Sequence, residues 1–181
     1  MRAFLDACVL YPPVMREALL AAARQGLFVP LWSNRVFSEW THAAGRDGAV
    51  NAAMVEGEIA LLKAHWPDAM VASPGDAPDL WLPDPADIHV LAAARAGAAD
   101  VIVTMNLKDF PKGELSVQGL SAVHPDAFLR RFIEDEPEKM RVALGELAAK
   151  AEAIAGEAVD VPKMLKKARL PRVGKFLRQL K

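Results

Sequence analysis

Five polar side chains lie where short apolar segments end or where helical segments run. Asp6 closes the first apolar segment of the chain, and Asn106 and Asp109 follow a later one. Asp87 opens the helical segment before that later strand, and Glu39 lies in a helical segment after the second apolar run. Carboxylates that converge on one crevice repel one another and need a cation to be stable together. Hard divalent ions such as Mg²⁺ or Mn²⁺ prefer oxygen ligands, so the pattern indicates metal-assisted hydrolysis of a phosphodiester.

The elements that must position these side chains alternate between short apolar runs and helical segments. We predict strands at residues 3–5, 27–32, 101–104 and 120–123, with helices between them. Strands that are apolar throughout are typical of a parallel sheet covered by helices on both faces. The sequence therefore predicts an α/β fold, with a three-layer α/β/α arrangement and a parallel sheet of four or five strands. In such sheets, ligands bind beyond the carboxyl ends of the strands.

Several stretches of the chain resemble the PIN domain and, within that family, the small bacterial toxins of the VapC type. The resemblance covers residues 2 to 133 in order and spacing. The matching stretches are Phe4 to Leu10, Trp32-Ser33 with Glu39, Leu82 to Ala94, Val101 to Pro111, and His124 to Leu129.

The resemblance implies a set of site residues. Asp6 matches the first metal-binding acid of the family, Glu39 the second and Asp87 the third. Asn106 stands at the fourth acidic position and departs from the all-acid pattern, although its carbonyl oxygen could still face a metal or its water. Asp109 follows three residues later and could supply the missing charge. The departure leaves it open whether one or two ions bind.

The function implied by the resemblance is metal-dependent endoribonuclease activity with Mg²⁺ or Mn²⁺. It further implies the toxin of a type II toxin–antitoxin pair, with an RNA substrate, a small antitoxin partner and homodimers. An alternative is a PIN-fold module that binds RNA or protein with weak or no catalysis, and Asn106 keeps this alternative open. A phosphatase of the haloacid dehalogenase type would need a second aspartate two residues after Asp6, where this chain has Cys8.

Some of these residues also have purely structural interpretations. Asp84 stands where a helix N-cap is expected, and Asp87 falls in the first turn, where acids favour the helix dipole. We favour the cap for Asp84 and the site for Asp87, although one residue can serve both roles. The histidines lack zinc-ligand spacing, and we take His89 to be structural. We take Cys8 to be a small buried residue. One exposed tryptophan could stack on an RNA base.

The character of the chain changes after about residue 134. We predict a nuclease domain over residues 1–133 and a helical, basic appendage over 134–181. Residues 162–181 carry eight basic residues and no acid, whereas the whole chain has a net charge of −1. Such a tail suits RNA, an acidic partner protein or simple solvation. The candidate RNA contacts are Lys163, Lys166, Lys167, Arg169 and Arg172, and the basic run continues to Lys181.

Composition supports a cytoplasmic location. The chain contains one cysteine, so it forms no internal disulfide, as expected in a reducing compartment. We expect no signal peptide, because no basic and apolar leader precedes Asp6. We also expect no membrane partner, because no run of about eighteen apolar residues occurs.

Overall fold

The fold was examined in a computed structural model that describes residues 1–46, 48–72, 74–75 and 77–179. Its centre is a parallel sheet of five strands in the order β3-β2-β1-β4-β5. The strands are β1 (Arg2–Leu5), β2 (Val29–Ser33), β3 (Met70–Val71), β4 (Val101–Val103) and β5 (Ser121–Val123). The predicted α/β class with a parallel sheet is confirmed.

Strand β1 lies between β2 and β4, so the chain leaves it towards one side of the sheet and later returns on the other. Phe4 pairs with Leu31 on one side and with Ile102 on the other, and all three side chains are fully buried. Burial on both faces explains why these strands are continuous apolar runs. The reversal of strand order creates a switch point between β1 and β4, where open α/β sheets bind their ligands.

The described residues form two compact units, and the first contains the sheet. It comprises residues 1–11 and 29–123. Its helices are α1 (Ala7–Leu10), α3 (Asn34–Arg46), α4 (Ala49–His65), α5 (Ile88–Ala96) and α6 (Lys112–Val117). Gly97 ends α5 where space is short, because a Cβ there would lie 2.7 Å from Val71 Cγ2.

The second unit is helical and comprises residues 12–28 together with those from 124 onward. Its helices are α2 (Pro13–Arg24), α7 (Pro125–Asp135), α8 (Pro137–Ala155), α9 (Val161–Lys167) and α10 (Pro171–Gln179). Phe28, Phe128 and Phe132 form a cluster of rings with centroids 4.9–6.0 Å apart. Lys150 on α8 pairs with Glu17 on α2 at 2.8 Å.

Several local predictions are confirmed and others were missed. The basic tail is helical, as predicted, and forms two short helices with Pro171 in the first turn of the second. The two-residue strand β3 and the short helices α1 and α6 were not predicted. Leu180 and Lys181 lie outside the described residues. The division into a nuclease domain over 1–133 and an appendage over 134–181 stays a prediction. Within the described ranges, no helix combines the length and apolarity that crossing a bilayer requires.

Candidate metal centre

Polar residues that follow two adjacent strands lie at the switch point of the sheet. Asp6 directly follows β1, Thr104 directly follows β4, and Asn106 comes two residues later. The two strands are parallel neighbours, with Leu5 opposite Val103, so their carboxyl ends meet at the same edge. The amide of Asp6 donates to the carbonyl of Val103 at 3.2 Å, which fixes the start of one loop against the end of the other strand.

Asp6 is buried and held by two neighbouring side chains. It is 6% exposed, and its Oδ2 accepts hydrogen bonds from Thr104 Oγ1 at 2.7 Å and from Cys8 Sγ at 3.0 Å. Thr104 is fully buried, and its Oγ1 also accepts from the amide of Asn106 at 3.0 Å. Thr104 therefore fixes Asp6 relative to the loop that carries Asn106.

Cys8 acts as a hydrogen-bonding partner in this cluster. Burial, followed by the charge and hydrogen bond of Asp6, raises the pKa of the Cys8 thiol to about 12. The thiol therefore stays protonated near neutral pH, so it donates to Asp6 and is a poor nucleophile. Its Sγ in turn accepts from the amide of Met105 at 3.2 Å. This agrees with the prediction that Cys8 is structural, although it is only partly buried.

Three acids approach one another closely enough to share a metal ion. Asp84, Asp87 and Asp109 each offer a carboxylate oxygen, and the three oxygens lie within 4.8 Å of one another. Asp84 also acts as the predicted cap, because its Oδ1 accepts from the amide of Ala86 at 2.9 Å. The sequence favoured the cap for Asp84 and left it out of the predicted ligands, although one residue can serve both roles. The spacing Asp84-Pro85-Ala86-Asp87, which spans one turn, was the available signal.

Asp87 is the acid most strongly perturbed by its neighbours. It precedes α5, but its side chain makes no capping hydrogen bond to that helix. Burial, followed by the charges of Asp6, Asp84 and Asp109, raises the pKa of Asp87 to about 6. Three carboxylates therefore act electrostatically on that of Asp87 at this edge of the sheet. A divalent cation would offset that repulsion, so the donor set fits a hard, oxygen-binding metal ion.

Asn106 presents its amide nitrogen to the acids. Its Nδ2 donates to Asp109 Oδ2 at 2.6 Å and, more weakly, to Asp87 Oδ2 at 3.4 Å. Lys108 adds a positive charge, with its Nζ 3.7 Å from Asp109 Oδ2. In this arrangement the amide of Asn106 bridges two carboxylates as a neutral donor. Its carbonyl oxygen would have to exchange places with the nitrogen to face an ion at the same point.

Glu39 lies outside the group of three acids and contacts His89. Its Oε1 lies 2.7 Å from His89 Nε2 and 3.5 Å from Arg35 Nε. The His89 approach is at ion-pair distance but lacks the direction of a hydrogen bond within the described structure. Partial burial acts to raise the pKa of Glu39, but His89 and Arg35 together lower it below its ordinary value. His89, assigned a structural role from the sequence, thus touches a predicted site residue.

One tryptophan of the described residues is strongly exposed. Trp32 and Trp40 are buried, whereas Trp81 is 59% exposed. Trp81 stands three residues before Asp84, and the leucines on both sides of it are buried. A span of three residues reaches at most about 11 Å, so the backbone of Trp81 lies within that distance of the backbone of Asp84.

Comparison with known proteins gives two matches. A family model described as "PIN domain" matches residues 2–108. A Mycobacterium tuberculosis (strain ATCC 25618 / H37Rv) protein named "Putative ribonuclease VapC50" is 56% identical over 43 residues. That match covers 24% of this chain and 25% of the relative, so the chain spans about a quarter of the relative's length. No solved structure matches significantly.

Proposed function

The chain belongs to the PIN domain family, and from this premise we propose that it is a metal-dependent endoribonuclease that hydrolyses RNA phosphodiester bonds. The observation that carries the proposal is the convergence of Asp84, Asp87 and Asp109 beside the buried Asp6. Clustered carboxylates give no advantage in binding an uncharged ligand at neutral pH. They do bind a divalent ion, and such an ion can in turn bind a phosphate.

The proposed roles follow from the contacts of each residue. Asp6, Asp87 and Asp109 would hold a Mg²⁺ or Mn²⁺ ion, with Asp84 beside them. Such an ion, when bound, lowers the pKa of a water molecule and offsets the charge of the phosphate. Thr104 and Cys8 keep the Asp6 carboxylate in place through its Oδ2.

Glu39 has the properties of a residue that orients water. Its lowered pKa keeps the carboxylate ionised at neutral pH, and His89 lies beside its Oε1 at ion-pair distance. An ionised carboxylate can accept a hydrogen bond from an attacking water and direct its lone pair towards phosphorus. The family pattern implies instead a direct role of Glu39 as a metal ligand.

We place the protein, within this proposal, as the toxin of a type II toxin–antitoxin pair. The support is the stretch shared with the M. tuberculosis protein, whose name includes ribonuclease and VapC. A small antitoxin and a second copy of the chain are the partners that follow from this placement. Helix α4 offers a surface for a second copy, because Val50, Met54 and Leu61 lie on one stripe and are 60–74% exposed.

The proposal is tested by cleavage of a structured RNA pool by purified protein. We expect cleavage with Mg²⁺ or Mn²⁺ and none with chelator, and we expect Asp6→Asn and Asp87→Asn to lose at least about a hundredfold in rate. Glu56→Gln serves as the matched control, because Glu56 is an exposed acid on α4. Metal-independent cleavage, or full activity in both aspartate variants, would contradict the proposal.

A second candidate function is an RNA- or protein-binding module with weak or no catalysis. The observation in its favour is that Asn106 already satisfies Asp87 and Asp109 with amide hydrogens. These neutral hydrogen-bond donors partly offset the repulsion between the carboxylates, as a cation would. In the same experiment, RNA binding without cleavage and without any effect of Mn²⁺ would favour this module.

A further inference from the structure

Helices α9 and α10 form a fixed pair at the end of the described chain. Leu165, Leu170 and Val173 are fully buried between and beneath them. At Gly174 a Cβ would lie 2.8 Å from the carbonyl oxygen of Pro162, so the helices approach too closely for any other residue. The basic end of the chain is therefore a packed element whose surface has a defined arrangement.

The exposed surface of this pair is strongly positive. Seven basic residues of the described part of the pair and its connecting turn are exposed, and no acid follows Asp160 in the sequence. The seven are Lys163, Lys166, Lys167, Arg169, Arg172, Lys175 and Arg178. Of these seven cations, Arg172 alone lies within ion-pair distance of a described acid, with its Nε 3.9 Å from Asp126 Oδ2. We call this set the basic surface.

The basic surface lacks the apolar centre that a protein interface needs. Across the described residues of α9 and α10, no large apolar side chain is exposed. Stable protein interfaces bury an apolar core within a polar rim, whereas binding to a nucleic-acid backbone rests on cations that release counterions from phosphates. Cations without an exposed apolar core therefore fit a polyphosphate backbone better than an acidic protein.

One aromatic ring lies among the cations. Phe176 is half-buried and lines a shallow cavity of about 350 Å³ with Arg172 and Lys175. Arg130 also lines this cavity but is paired with Glu134 at 2.7 Å. Cations next to an aromatic face are the usual combination in single-strand binding, because phosphates contact the cations and bases stack on the ring.

We infer that the basic surface of α9 and α10 binds the sugar-phosphate backbone of single-stranded RNA. The inference rests on the proposed ribonuclease function, since RNA is the polyanion that such an enzyme must hold. It goes beyond that function by assigning substrate binding to residues outside the acidic site and outside the 2–108 match. Binding here is independent of sequence, because the contacts are to phosphates.

The test is fluorescence anisotropy of a short labelled oligouridine with the full chain in the presence of chelator. The triple variant Lys163→Gln, Lys166→Gln, Lys167→Gln removes three unpaired cations from successive turns of α9. We expect affinity at low salt to fall at least about tenfold, and the slope of log affinity against log salt to fall by about 2. Circular dichroism confirms that the variant is folded.

The matched control removes the same net charge from cations that already have acidic partners. Arg24, Lys139 and Arg141 each pair with a glutamate and lie outside the Phe176 cavity, so their triple glutamine variant should bind almost as the wild type. Unchanged affinity and slope in the Lys163, Lys166 and Lys167 variant would overturn the inference. Tighter binding of polyglutamate than of oligouridine would also overturn it and assign the surface to an acidic protein.

Because the binding test is done with chelator, its result does not depend on metal-dependent cleavage. RNA binding that survives in Asp87→Asn and is lost in the α9 variant supports the basic surface even if no cleavage occurs. Cleavage that persists unchanged in the α9 variant, together with unchanged affinity, leaves the nuclease proposal standing and removes this one.

Discussion

The charged form of the Asp87 carboxylate destabilises the folded protein in the absence of a cation. Its pKa of about 6 means that the fold disfavours the charged form, first through burial and then through three neighbouring acids. An acid with a raised pKa stabilises the folded state at low pH, and this contribution is lost as the pH rises through the folded value. Above about pH 6 the metal-free protein therefore carries an unfavourable charge at this position.

Asp87→Asn should accordingly stabilise the metal-free protein. At pH 7.5 we expect a gain of about 1 kcal/mol in the free energy of unfolding, because solvent screening at this half-exposed group reduces the full effect of the shift. The gain should shrink as the pH falls from 6 and vanish below about pH 3, where aspartate is protonated in both states. Urea unfolding with chelator at several pH values measures it, and a loss of stability at pH 7.5 would contradict the assigned electrostatics.

For single residues, the sequence predicted which side chains lie at the edge of the sheet better than it predicted which side chains contact one another. Asp6, Asp87, Asn106 and Asp109 were predicted from strand ends and family resemblance, and the structure brings them to one edge of the sheet. The contact between His89 and Glu39 joins two helices, α3 and α5, and depends on how these helices pack. Local spacing carries no information about such a contact.

At the scale of elements, a buried acid on α7 supports the N-terminus of α10. Asp126 is 5% exposed, and its carboxylate accepts from the amides of Arg172 at 3.0 Å and Val173 at 3.3 Å. These are amides of the first turn, which have no partner within their own helix. The carboxylate thus acts as a cap from 46 residues away and also suits the helix dipole.

Asp126→Ala should therefore destabilise the second unit. We expect a loss of about 1–3 kcal/mol in the free energy of unfolding, because buried amides lose a charged acceptor. Asp135→Ala, on the same helix but exposed, is the matched control and should cost little. Faster hydrogen exchange at Arg172 and Val173 would locate the effect, and unchanged stability together with unchanged exchange would contradict the capping role.

The predictions from the sequence missed the shortest elements. Long helices and the central strands were predicted because hydrophobic periodicity extends over many residues. Strand β3 has two residues and is defined by pairing of Met70 and Val71 with Trp32 and Ser33 on β2. The helix predicted to begin at Asp84 starts as a single 3₁₀ turn over Pro85–Asp87, because Asp84 caps it tightly, and α5 follows at Ile88.

At the scale of the whole molecule, the acids of the candidate site and the cations of the basic surface belong to different compact units. The acids that would bind metal belong to the unit with the sheet, whereas the unpaired cations belong to the helical unit. The PIN match ends at residue 108, within the first unit. Family resemblance could therefore predict the acidic site. The basic surface was indicated only by the run of basic residues over 162–181.

The exposed stripe on α4 predicts self-association. Met54→Glu should weaken a homodimer at least about tenfold, because a carboxylate would be buried against apolar side chains. Val117→Glu places the same charge at another exposed apolar residue, 80% exposed on α6, and should leave the dimer intact. Sedimentation over a range of concentrations measures the effect, and a wild-type protein that stays monomeric throughout would contradict it.

We propose above all that Asp6, Asp87 and Asp109, with Asp84 beside them, hold a divalent ion. The most direct test is calorimetric titration of the chelator-treated protein with Mn²⁺, comparing the wild type with Asp87→Asn and with the control Glu56→Gln. We expect saturable binding to the wild type and the control, with affinity reduced at least about tenfold in Asp87→Asn. Absence of binding to the wild type, or equal affinity in all three proteins, would contradict it.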